Sequence, residues 1–228
     1  ATPGTSITPG ASSVEGNFSQ LLAALAQEVF CFYVRVSDVT ATAAKNIFLD
    51  IGADPAGGTT YTTLPLVTNL ICGSAPAITA AGAGMEFFFP LRIPAGATVG
   101  ARAQCSNAVP GTMRVAIRAY GRPSGPWLFP SGQYSESIGP GASTLGVSFT
   151  PGNAADGTWT SLGTTTRECW WWQLGYQVNN ATITAEYAYI ELGVGDGTTA
   201  GTFTIIKLMN AGTTGETCGA ALTENVIW

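Results

Sequence analysis

The chain of 228 residues contains no histidine. That removes Ser-His-Asp and Cys-His catalysis, and with it the commonest side-chain ligand of zinc, copper and iron. Charge is scarce as well. Asp, Glu, Lys and Arg make up 10% of residues, against roughly 25% in an average soluble domain. A surface of Thr, Ser, Ala and Gly suits a freely diffusing enzyme poorly and suits a protein covered by neighbours. The net charge of −5 offers no general attraction to nucleic acid or to an anionic membrane. No run reaches the roughly 20 apolar residues of a membrane span. The opening ATPGTSITPG lacks the basic and apolar regions of a signal peptide. The expectation is synthesis in a cytoplasm without export by the usual route, and Ala1 fits removal of an initiator Met.

What is present is apolar, short and interrupted. Hydrophobic residues reach 46%, with 29 Gly and 13 Pro, so the chain has the material for a core. Short β-branched and aromatic runs cut by Gly/Pro turns predict an all-β protein built from antiparallel β-sandwiches.

An internal repeat organises these runs. GTSITPG (4–10) matches GVSFTPG (146–152), and EVFCFYVRV (28–36) matches ECWWWQLGY (168–176). NIFLDIGAD (46–54) matches AYIELGVGD (188–196), TTYTTLPLV (59–67) matches TAGTFTIIKLM (199–209), and ICGSAP (71–76) matches TCGAAL (217–222). Order is kept at an offset of about 140 residues, which points to a duplication. MEFFFPLRIPAG (85–96), ATVGARAQ (97–104) and TMRVAIRAYG (112–121) add three strands to the first copy and find no partner in the second. The expected organisation is a first β-sandwich unit with an N-terminal arm over 1–121, a Pro/Gly/Ser-rich linker over 122–145, and a second, abbreviated unit over 146–228. Each fuller unit is near jelly-roll size. Residues 17–28 also have the pattern of a short helix, with Phe18, Leu21, Leu22 and Leu25 on one face and Asn17 and Gln20 as a capping box. The partner segment 157–168 is a poor helix former.

Three tryptophans stand together at 170–172. Alternation in a strand assigns them different faces. Phe30, Phe32 and Val34 share one face of the first copy, while Cys31, Tyr33 and Arg35 share the other. Arg35 calls for water, so the Phe face is the expected core. By alignment Trp170 and Trp172 are core fillers, and only Trp171 points outward. It can pack on the linker, the other unit or a neighbouring chain, face solvent, or stack on sugar.

Other candidates carry a structural and a functional reading side by side. Glu28, Glu168, Asp50 and Glu191 recur across the repeat, which favours structure over catalysis. Asp54 and Asp196 lie in Gly-rich turns, where turn chemistry outweighs calcium binding for lack of spaced acidic ligands. Arg92, Arg102, Arg114, Arg118 and Arg122 are five of nine basic residues within about thirty positions. If their strands pair, an arginine-rich outer face results, either solvated or docked on an acidic partner surface such as that of an identical subunit. Five cysteines, with no C-x-x-C pair, argue against zinc. They are buried small apolar residues, or one forms a disulfide between chains after release into an oxidising medium. Trp171, Arg102, Arg114, Arg118 and Cys105 form the candidate interface set. Trp127, Tyr134 and Trp171 form a candidate glycan platform. No catalytic residue, cofactor or metal is expected.

FFFPLRIPAGATVGARAQ (87–104) followed by RVAIRAYG (114–121) resembles stretches of β-sandwich modules in the virion proteins of tailed bacteriophages, in head decoration, neck or tail-fibre components. The resemblance covers about a sixth of the chain. It implies a non-enzymatic structural protein of the virion, assembled with identical subunits and other virion proteins. The second function to weigh is a receptor-recognition module for host surface glycan. In the structural reading, an abbreviated second unit leaves a sheet edge open, and the arm at 1–13 is an expected source of inter-chain contact.

Overall fold

The structure, a computed structural model, describes residues 4–38, 47–72, 85–105, 111–121, 132–139, 146–150, 155–169, 171–176, 186–195, 204–213 and 222–227. The chain divides into two compact units, Ala1–Ser143 and Thr144–Trp228. The described elements are all strands: β1 (Thr5–Ile7), β2 (Ser19–Leu22), β3 (Val29–Asp38), β4 (Ile47–Asp54), β5 (Leu64–Ile71), β6 (Met85–Phe89), β7 (Thr98–Cys105) and β8 (Met113–Gly121) in the first unit, then β9 (Trp171–Tyr176), β10 (Glu186–Val194), β11 (Thr204–Thr213) and β12 (Leu222–Ile227) in the second.

In the first unit the strands form two antiparallel four-stranded sheets, ordered β1-β8-β3-β6 and β2-β7-β4-β5. Period-two alternation aims one face of each sheet at a shared core. β3 contributes Phe32, Val34 and Val36, β6 contributes Phe87 and Phe89, and β8 contributes Met113 and Val115. From the other sheet come Leu49, Ile51 and Ala53 of β4, Leu66 of β5, and Val99, Ala101 and Ala103 of β7. The arrangement is sandwich-like. The reading of Phe32 and Val34 as core holds, and both are fully buried. Phe30 is only half-buried, because the β3–β8 register slips between Val29 and Cys31.

β4 is buried along its whole length, outer positions included. At Gly52 the outer face is closed by Tyr61, and glycine makes this possible. A Cβ on Gly52 would lie 2.0 Å from the Tyr61 carbonyl oxygen, and one on Gly100 would lie 2.6 Å from the Tyr61 ring. Phe18 extends the cover, with its ring 5.3 Å from that of Tyr61.

Two expectations are corrected here. Residues 19–22 are a strand, not part of a helix over 17–28. Ser19, Gln20 and Leu22 pair with Ala101, Gly100 and Val99, and an irregularity between Gln20 and Leu22 sets adjacent leucines on the core margin. Those cross-strand bonds and contacts outweigh the local helical pattern. The arm, too, belongs to its own unit. Thr5, Ser6 and Ile7 pair with Val115, Arg114 and Met113, and Ile7 is fully buried. Beyond them the Gly10 amide donates to the Ala103 carbonyl at 2.9 Å, and the Cys105 amide donates to the Gly10 carbonyl at 2.8 Å.

Part of the expected linker also docks on the first unit. The Arg92 amide donates to the Gly132 carbonyl, and the Gly132 amide donates to the Pro90 carbonyl. The Ser135 and Ser137 hydroxyls donate to the carbonyls of Leu66 and Thr68 on β5. In the second unit β9 pairs with β12 and β10 with β11, both antiparallel. Trp172 and Leu174 are half-buried, and the Trp172 indole nitrogen is buried without a hydrogen-bond partner.

Candidate functional site

Alternation that sends Phe32, Val34, Phe87, Phe89, Val115 and Ile117 inward sends a different set outward across β6, β3 and β8. Register builds this outer face in rows. Phe88, Tyr33 and Arg118 lie opposite one another, and so do Glu86, Arg35 and Ala116. Cys31 faces Tyr120, and Ser37 faces Arg114, which in turn faces Ser6 of β1. Tyr33 is the centre of an aromatic cluster. Its ring lies 4.9 Å from that of Phe88 and 5.9 Å, edge-on, from that of Tyr120. Tyr33 is 37% exposed and Tyr120 40%. Arg35, Arg118 and Glu86 are exposed around them. Tyrosine and arginine combine large contact area with hydrogen-bonding ends, and both are enriched where proteins meet. The adjacent Cys31 is buried, and desolvation raises its thiol above the ordinary value.

Arg102 stands elsewhere. It lies on β7, in the sheet that does not contain β8, so the single arginine-rich face expected from pairing of these strands does not form. Arg102 Nε donates to Asp50 Oδ2 at 3.0 Å, and its Nη1 meets Glu15 Oε2 at 2.5 Å. Its guanidinium carbon sits 4.8 Å above the centre of the Phe18 ring. Asp50 also accepts the Asn69 amide at 2.8 Å. Asn69 has a positive φ of 52°, next to the register irregularity between β4 and β5. Gln104 Nε2 donates to Asn69 Oδ1 at 3.2 Å. Buried Asp50 is thus answered by a cation and a backbone donor, as a buried carboxylate must be. This network holds a bulge and the β2–β7–β4 layer together; it is built as structure.

The remaining candidates fall in several places. Arg114 is half-buried and donates to the Gly4 carbonyl at 3.3 Å; it helps seat the arm. Arg118 alone of the expected interface arginines is exposed. Cys105 is fully buried at the end of β7, so its side chain has no surface to offer a partner. Tyr134 is half-buried in the segment that docks on the first unit. The side chain of Trp171 and the whole of Trp127 lie outside the described residues. Glu28 pairs with Arg92. Asp54 accepts the amides of Ala56 at 3.0 Å and Thr60 at 2.8 Å, which is the turn role read from the sequence. Cys31, Cys72, Cys105 and Cys169 form no disulfide among the described residues, and Cys218 lies outside them.

The expected interface set did not include Tyr33, Tyr120 and Phe88. The signal was available for Tyr33, which shares its face with Arg35. Phe88 and Tyr120 needed the register of three strands that are far apart in sequence. Among the described residues no group of three metal-ligating side chains forms, and no helix is long and apolar enough to cross a membrane. No family model, curated protein or solved structure matches the chain.

Proposed function

We propose that the protein is a non-enzymatic structural component of a bacteriophage virion, acting as a capsid decoration, neck or tail-fibre protein through homo-oligomeric assembly and attachment to the particle. The observation that carries this reading is the strand order of the first unit. β1–β8, β2–β7, β3–β6 and β4–β5 are all hydrogen-bonded pairs, divided between sheets ordered 1-8-3-6 and 2-7-4-5. A long hairpin of eight strands, folded over and wrapped about a core, produces this order. We read this order as a jelly roll, an architecture used by viral capsid proteins as well as by lectins and cupins. Fold alone does not assign function. The scarcity of charge and the exposed rings of the outer sheet face favour a subunit whose surface is covered in an assembly.

The second unit is read as a partial copy of the same design. β9–β12 and β10–β11 repeat the pairings of β3–β6 and β4–β5. The first three of these second-unit strands fall where the sequence repeat aligns them. In this reading β12 corresponds to β6, for which the sequence repeat offers no counterpart.

Immunogold labelling tests the function. An antibody to the chain should decorate tailed particles purified from the culture that makes the protein. Particles that stay bare while the chain remains free in the lysate contradict the reading. The second reading, a glycan-recognition module, draws on the exposed Tyr33 and Tyr120 rings, since jelly rolls also serve as lectins. Glycan-array binding lost on Tyr33→Ala and Tyr120→Ala substitution favours it; an array without signal removes it.

A further inference from the structure

Charge is distributed unevenly between the two units. Residues 1–143 carry seven basic and seven acidic side chains, while residues 144–228 carry two basic and seven acidic. The whole formal charge of −5 therefore belongs to the second unit. On the first unit, the outer face of β6, β3 and β8 runs the other way. Its exposed charged side chains are Arg35 and Arg118 against Glu86, around the contiguous rings of Phe88, Tyr33 and Tyr120.

We propose that this tyrosine–arginine face docks on the acidic second unit of a neighbouring copy, in a head-to-tail contact. The inference rests on the assembly reading above and specifies its surfaces. Exposed tyrosine rings provide apolar area at low entropic cost, and the arginines give orientation against carboxylates. Two different surfaces of one chain, used in this way, form a heterologous interface. Such an interface closes into a ring when its rotation permits and otherwise extends into a filament. Both outcomes suit a part of a particle built from many copies. Exposed charges across the contact make it salt-sensitive, since the screening length falls from about 10 Å at 0.1 M to about 3 Å at 1 M.

Two variants and their mixture test it by sedimentation velocity. The first, Tyr33→Ser with Arg118→Glu, alters the face. The second, Asp156→Lys with Glu168→Lys, alters two exposed acidic residues of the other unit. Thermal melts establish that each variant folds; should the first fail to fold, Arg118→Glu alone replaces it. The wild type should self-associate at low salt and dissociate as salt rises. Each variant alone should associate about 100-fold more weakly, the loss expected for an interface anchor. A one-to-one mixture should form a capped heterodimer, because each variant retains the surface that the other lacks. Three results would overturn the proposal: a wild type that stays monomeric, a face variant that assembles like the wild type, or a mixture that gives no heterodimer. If particles still label with antibody in any of these cases, the virion reading survives and only the head-to-tail contact falls.

Discussion

Deleting residues 1–12 should unfold the first unit rather than merely loosen an assembly. The segment contains β1, which covers the outer edge of β8 through three paired positions. Its Ile7 is completely buried, and truncating a buried isoleucine to alanine costs about 2–5 kcal/mol. Complete removal also strips the backbone bonds of Gly10 to Ala103 and Cys105, each worth about 0.5–1.5 kcal/mol net. It leaves the Arg114 guanidinium without the Gly4 carbonyl. The sum is on the order of 5 kcal/mol or more, comparable to the whole stability of about 5–15 kcal/mol of an ordinary domain. Urea unfolding followed by near-ultraviolet circular dichroism reads the effect directly. The truncated chain should show a strongly lowered midpoint or no cooperative transition. Ile7→Ala should lie between it and the intact chain. A truncated chain with the intact midpoint would refute the packing argument and restore the arm as a free contact segment.

Other consequences follow from the same contacts. Gly100→Val should destabilise by about 1–3 kcal/mol, because its side chain meets the Tyr61 ring; an unchanged melting temperature would count against the cover. Tyr61→Phe should leave stability unchanged or raised, since the buried hydroxyl has no partner; a loss above about 1 kcal/mol in urea unfolding would contradict this. Asp50→Ala should cost about 1–3 kcal/mol, measured the same way, because it strands the Asn69 amide and half of the Arg102 guanidinium. Burial pushes the Cys31 and Cys72 thiols above their ordinary value of 9.0. Below that pH both folded and unfolded chains keep the protons, and this contribution to stability is intact. Above it the unfolded chain ionises first, so stability should fall as pH rises through the alkaline range. Urea midpoints between pH 8 and 10 that do not decline, or that Cys→Ala substitutions leave equally sensitive, would speak against it.

Faces were legible in the sequence and neighbours were not. In TMRVAIRAYG the alternation separates Met113 and Val115, both buried, from the outward Arg114 and Arg118. Nothing in that alternation says whether β8 lies beside β7 or beside β3, so Arg102 was grouped with arginines of the opposite sheet. NIFLDIGAD has little alternation because both of its faces are covered. What allows this is glycine at 52 and 100, whose meaning appears only once Tyr61 is laid across them. The segment around Leu21 and Leu22 misled because a helical face and a strand with an irregularity can bury the same leucines. The ion network was hidden for a related reason. Glu15, Asp50, Asn69 and Arg102 are separated by long stretches of chain, and only sheet pairing brings them together.

Whether this chain works by assembling is read from the mass of the purified wild-type chain by sedimentation velocity at low salt, with and without reductant. Head-to-tail contact should give rings or filaments of 23.4 kDa subunits that reductant leaves intact, because aromatic and charged side chains, not a disulfide, make the proposed contact. A single species of 23.4 kDa at every concentration, or an oligomer that collapses on reduction, would contradict it.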